Sequence, residues 1–180
     1  MSNNKKKVLH LLSSNSFSGA ENVVCQIIDL FKDDDYDMVY CSPDGKIKEA
    51  LAERGVKFLP IKKFNYFEIK KAVKGFNPDI IHAHDYKASI MAAMVSGKKK
   101  VISHLHCNTP FAKNWNLKSA LYYFFINRFH KILAVSNSII QEGIFFNTKN
   151  VVKTQVIENF LNKELILKNS KAFFPFRICT

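Results

Sequence analysis

Short apolar runs alternate with stretches in which apolar residues recur every three or four positions, almost from one end of the chain to the other. "KVLHLL" (7–12) predicts a first strand. Behind it Ala20, Val23, Val24, Ile27, Ile28 and Phe31 follow the i, i+3, i+4, i+7, i+8, i+11 spacing of a helix with one apolar face. Six more strands are predicted by "YDMVYC" (36–41), "VKFLPI" (56–61), "PDIIHAH" (78–84), "KKVISHLH" (99–106), "KILAVS" (131–136) and "TQVIENF" (154–160). Helical patterns at 46–55, 66–76, 86–97, 117–129 and 137–145 separate them, the first closing on Gly55 and the second stopping ahead of Asn77-Pro78. Strand-helix repetition with short connections marks a parallel sheet, because each right-handed crossover needs a helix to carry the chain back. The expected fold class is α/β: a doubly wound, Rossmann-like parallel sheet with helices on both faces, over residues 5 to about 160. The tail "KNSKAFFPFRICT" (168–180) fits neither pattern.

Composition narrows the classes. At 180 residues and 47% hydrophobic, with 16 Phe, the chain fills one good core. Cys25, Cys41, Cys107 and Cys179 are scattered, without the C-x-x-C pairs of a zinc or redox site, and read as reduced thiols in a cytoplasmic protein. The apolar run near the N-terminus is five residues, too short for a signal-peptide core, and no uncharged stretch reaches membrane-spanning length. The formal net charge of +12 favours polyanions. No Arg-rich or aromatic-interleaved motif accompanies it, so nucleic acid is not the expected partner and an anionic membrane surface is. "LKSALYYFFINRF" (117–129) reads as a helix with one face for the sheet and one for lipid head groups.

In such a sheet ligands bind beyond the C-terminal strand ends, and those exits are polar here. In "SNSFSGAE" (14–21), Ser18 and Glu21 have capping-box spacing, the serine accepting from the amide three residues on and the glutamate reaching back. Gly19, lacking a Cβ, would let a phosphate or sugar approach the free amides at the helix start. His82 and His84 share one strand face, as do His104 and His106. These pairs invite a metal, with Asp85 as an oxygen ligand. Against it, His82 and His104 lie inside strands under an expected helix, which suits hydrogen-bonded core histidines, so no metal is expected. His84 and His106 end their strands and are expected to face the crevice and meet a hydroxyl. Ser136 is expected to N-cap the next helix with Asn137 and Ser138, and Glu158 and Asn159 close the last strand.

Taken together these stretches resemble the N-terminal domain of the family 4 glycosyltransferases, two-domain proteins of GT-B architecture. The matches are "SGAE" (18–21) for Gly-Gly-x-Glu, "PDIIHAHD" (78–85), "VISHLH" (101–106), "ILAVSNSI" (132–139), and "VIENF" (156–160) for the Val-Ile-Pro-Asn-Gly hinge. Ser18, Glu158 and Phe160 depart from the pattern. The resemblance implies an acceptor-side domain over 1–160, with 161–180 as a tail or the start of an interdomain linker and the second domain absent. It implies retaining transfer from a nucleotide-sugar donor to a polysaccharide or lipid-linked acceptor, with no cofactor. His106 would be the catalytic residue beside the reacting sugar. His84 and Asp85 would join it on the acceptor, Ser18 and Gly19 would lie at the donor phosphate, Glu21 would brace the loop, and Asn159 would sit between domains. Alone the chain is expected to be a very poor transferase, needing the second domain or a separate subunit that carries it. Two other readings stay open: a non-catalytic binding or partner protein, and a metal-dependent hydrolase.

Overall fold

The computed structural model describes residues 5–146 and 152–157. Seven strands, β1 (Lys6–Leu11), β2 (Tyr36–Pro43), β3 (Phe58–Ile61), β4 (Ile80–His84), β5 (Lys100–Leu105), β6 (Lys131–Ala134) and β7 (Thr154–Val156), form one sheet. The order is β3-β2-β1-β4-β5-β6-β7 and every pairing is parallel. The helices α1 (Gly19–Leu30), α2 (Ile47–Glu53), α3 (Tyr66–Phe76), α4 (Asp85–Val95), α5 (Leu117–Phe125) and α6 (Asn137–Glu142) make the connections. Strand order reverses between β1 and β4, which opens a crevice at their C-terminal ends.

Alternation along each strand sorts the residues into two layers. Leu9, Leu11, Ile81, Ala83, Val101, Leu105, Ile132 and Ala134 face one side, where they join Ile69 and Val73 of α3, Ala88 and Ala92 of α4, Tyr122 of α5 and Ile139 of α6. Within that layer Ser103 Oγ lies 2.7 Å from Ser89 Oγ and 2.9 Å from the Tyr122 hydroxyl, so its buried polar atoms are paired. On the opposite side Leu12 and Tyr40 pack with Val24 and Cys25 of α1 and Ile47 and Leu51 of α2. These two helices sit over β1 to β3. Beside α1, Ile80, His82, Ile102, His104 and Leu133 instead line an open cavity of about 400 Å³, together with Val23, Ile27 and Leu30.

Element ends differ from expectation in a few places. The pattern over 117–129 is α-helical only to Phe125, followed by a 3-10 turn (Ile126–Arg128) that swings Phe129 into the core. α3 ends on Asn77 in the left-handed conformation (φ 52°), as a residue before proline cannot continue the helix. The predicted strand at 154–160 runs to Val156, and Glu158, Asn159 and Phe160 lie outside the described residues.

Leu9 is fully buried on the central strand and packs in the larger core layer. Leu9→Ala is expected to lower unfolding free energy by about 2–5 kcal/mol in urea denaturation; a loss well under 1 kcal/mol would contradict this placement.

Candidate functional site

Parallel register brings five imidazoles together. His10 pairs with His82 across β1 and β4, and His84 with His104 across β4 and β5. With His106 just past β5, all project to the same face and stack. Ring centroids lie 5.0 Å apart for His10–His82, 4.3 Å for His82–His84, 5.4 Å for His84–His104 and 4.2 Å for His104–His106. Two hydrogen bonds thread the column: His10 Nδ1 to His84 Nε2 at 3.2 Å, and His84 Nδ1 to His106 Nε2 at 2.9 Å. Each needs one protonated and one bare nitrogen, so the tautomers of the three rings are tied together.

Burial keeps the column neutral, since removing an imidazolium from water disfavours the charged form. Desolvation, with His104 as a like-charged neighbour, brings His10 down to about 3. Desolvation, then His106 and His82, brings His104 to about 2. His82 and His84 lie well below the ordinary value for the same reasons. Burial lowers His106 to about 4 against an opposing pull from Glu21.

The expectation that His82 and His104 are hydrogen-bonded core residues is corrected by their surroundings. Both are buried, yet among the described residues His82 Nε2 and both ring nitrogens of His104 have no partner, and both rings line the cavity beside α1. His10 Nε2 and His106 Nδ1 are also buried and unpaired. An unmet buried polar group costs about 1–3 kcal/mol, so the column carries a concentrated debt of unsatisfied nitrogen.

His84 is corrected as well. Expected to face the crevice, it is instead 2% exposed with both ring nitrogens engaged by His10 and His106, and it is His106 that is only half-buried. Asp85, the first residue of α4, has φ 73°, a left-handed conformation that costs energy for a residue with a Cβ and that aspartate tolerates better than most. Its Oδ1 accepts from the His106 amide at 3.3 Å, which fixes the β5 exit. Burial raises its pKa while that amide opposes the rise.

The capping box at 18–21 does not form. Ser18 is the N-cap of α1, but its hydroxyl donates to the Glu21 carboxylate instead of accepting from an amide. Glu21 is 3% exposed and turned inward, where its charge is felt by His106 and Asp85. At Gly19 a Cβ would meet nothing within 4 Å, so packing inside the chain does not require glycine there. Ser136 is the N-cap residue of α6, and its hydroxyl pairs with Ser138 Oγ at 2.7 Å rather than capping the helix. Asn159 lies outside the described residues. Sequence reasoning missed His10, whose signal was its place in the apolar "VLHLL", on the same strand face as Val8 and Leu12.

The sequence profile of Glycosyltransferase Family 4 matches residues 17–165, spanning the Gly19 loop, both histidine pairs and the β6 exit. No curated protein matches the chain in sequence. Among solved structures, Anabaena Alr3699/HepE in complex with UDP-glucose superposes with a TM-score of 0.72 at 19% identity, over 92% of this chain and 49% of that one. A glycosyltransferase from Rickettsia africae ESF-5 gives 0.64 at 19% identity, over 97% and 51%. The lipopolysaccharide outer core galactosyltransferase WaaB in its apo form gives 0.66 at 15% identity, over 87% and 46%. The chain thus spans about half the length of the solved structures it matches, with the Rossmann-like fold of one half of a GT-B protein. On the profile match, which the fold independently accompanies, the chain belongs to Glycosyltransferase Family 4.

Proposed function

We propose that this chain is the acceptor-side half of a retaining, nucleotide-sugar-dependent glycosyltransferase that extends a polysaccharide or lipid-linked acceptor in cell-surface glycan synthesis. The observation that carries the reading is the placement of Gly19 at the start of α1, behind β1, and of His106 just past β5, at the same end of one parallel sheet, with the Glu21 charge reaching His106. Support also comes from the neighbours, one crystallised with UDP-glucose and another named as a galactosyltransferase.

Each residue then has a defined task. The open space at Gly19 admits a donor phosphate to the amides and positive dipole at the start of α1, a helix of 12 residues, with Ser18 at its lip. Glu21 fixes that lip through Ser18. His106 is the catalytic residue: Nδ1 is the ring nitrogen left for a sugar hydroxyl, while His84 holds Nε2 and Asp85 holds the backbone. Departure of a nucleoside diphosphate needs pre-aimed positive charge, and the groups gathered here are neutral imidazoles and carboxylates. The reading assigns that charge to a second half, carried on a longer form of this chain or on a separate subunit. No cofactor enters the transfer itself.

A surface feature supports a peripheral place at a membrane. Leu117, Leu121 and Phe124 recur on one face of α5 and, with Trp115, stand 40–76% exposed beside Lys118. Such a row on a chain of net charge +12 suits the anionic inner leaflet of the plasma membrane, where the protein would sit peripherally. No helix among the described residues is long and apolar enough to cross a membrane.

Transfer of radiolabelled glucose from UDP-glucose to membrane glycolipid is expected to be absent with this chain alone. It should appear once the second half is supplied, and fall about a hundredfold or more in His106→Gln; turnover by the isolated chain would contradict the division of labour. The single tryptophan, Trp115, is expected to shift its fluorescence to shorter wavelength with phosphatidylglycerol vesicles and not with phosphatidylcholine alone. Leu117→Glu with Phe124→Glu should abolish that shift, and an unchanged wild-type spectrum would remove the membrane from the account.

A further inference from the structure

We propose that His10, His82 and His84 form a site for one divalent transition-metal ion of the zinc class, distinct from the sugar-transfer chemistry above. Each of the three offers a ring nitrogen within 4.8 Å of the others. All three are buried, at 1%, 7% and 2% exposure. Zinc holds imidazole nitrogen at about 2.0–2.1 Å in a tetrahedron, which sets nitrogen–nitrogen edges of about 3.3–3.4 Å. His10 Nδ1 and His84 Nε2 already stand 3.2 Å apart. One edge of the tetrahedron is therefore built, and a turn of the His82 ring completes the face.

One unpaired nitrogen points the same way. Among the described residues His82 Nε2 is buried without a partner, so no hydrogen bond competes with an ion for that ring nitrogen. An ion replacing the shared proton between His10 and His84 takes a lone pair from each. The His84 proton then resides on Nδ1, which donates to His106 Nε2 at 2.9 Å. That is the kind of hydrogen bond that orients a metal-bound histidine, and it leaves the His106 proton on Nδ1. The fourth coordination position is a water in the cavity that His10 and His82 line. Three neutral imidazoles select zinc, copper(II) or nickel over magnesium, calcium or manganese.

A second triad, His84, His104 and His106, also gathers within 4.8 Å. It would consume His84 Nδ1 and His106 Nε2 and break the bond that holds His106, so the inner triad is the better site.

The test uses the 180-residue chain stripped with chelator and dialysed to equilibrium against Zn(II) or Co(II). The expected result is about one equivalent of ion per chain, intense visible Co(II) bands of four-coordinate geometry, and a zinc absorption edge fitted by three imidazoles. His10→Gln and His82→Gln should each weaken binding about tenfold or more, as losing one of three ligands does, while His104→Gln leaves it unchanged. If either glutamine variant fails to fold by circular dichroism, the wild-type edge and Co(II) spectra decide the ligand set. Stoichiometry near zero in wild type overturns the site, and so does binding that survives His10→Gln but is lost in His104→Gln. His84 is shared with the support of His106, but stoichiometry and Co(II) spectra are read without any turnover, so loss of the metal site and loss of the transfer reading are told apart.

Discussion

Imidazoles stacked out of water cannot share positive charge, and that restriction organises the crevice. Rings 4.2–5.5 Å apart on one sheet face would repel if ionised, and burial removes the solvent that would screen them. The column therefore stays neutral and is ordered by tautomer instead of by charge. His106, the member nearest the strand exits, takes its proton position from His84, and His84 takes its own from His10. The same restriction sets an acid limit on the fold. The unfolded chain binds protons at these histidines below about 6.5, while the native column does so only below the lowered values, about 3 for His10 and about 4 for His106. Their contribution to stability is thus full above pH 6.5 and is lost as pH falls through that window.

Asymmetric coverage of the sheet places this column where it can matter. Among the described residues four helices seal one layer, whereas α1 and α2 cover the other, over β1 to β3. The β4 and β5 histidines consequently border open space between the sheet and α1. The crevice above them is floored by a backbone in tension at Asp85 and walled by the Ser18–Glu21 pair, whose carboxylate is buried and turned towards the imidazoles. A neutral floor beside a helix start suits recognition of hydroxyls and phosphate, and leaves the management of developing negative charge to other groups.

Much of this could be read from residue order, and the failures have definite causes. Strand-helix alternation predicted each described strand and α-helix within a few residues, though not the 3-10 turns, because period 2 and period 3.6 are written directly into where Val, Ile and Leu recur. The two His-x-His pairs were visible for the same reason. What residue order does not encode is register between strands far apart in the chain, and only register sets His10 beside His82 across 72 residues. The spacing of Ser18 and Glu21 fits a capping box, yet a buried destination for the carboxylate outcompetes the backbone amide. The left-handed Asp85 was hidden because aspartate populates ordinary and left-handed conformations alike, and nothing local announces which one a strand exit will impose.

The neutrality of the histidine column is open to direct measurement by following the ring nitrogen and carbon resonances of isotopically labelled histidines through a pH titration of the folded chain. The account predicts that His10, His104 and His106 keep neutral-ring shifts down to about pH 5, with His106 the first of them to protonate, near 4, and that His82 and His84 titrate well below the ordinary histidine value. A folded chain in which His84 or His104 titrates near 6.5 would contradict it, since a charged ring there cannot belong to a buried, tautomer-linked stack.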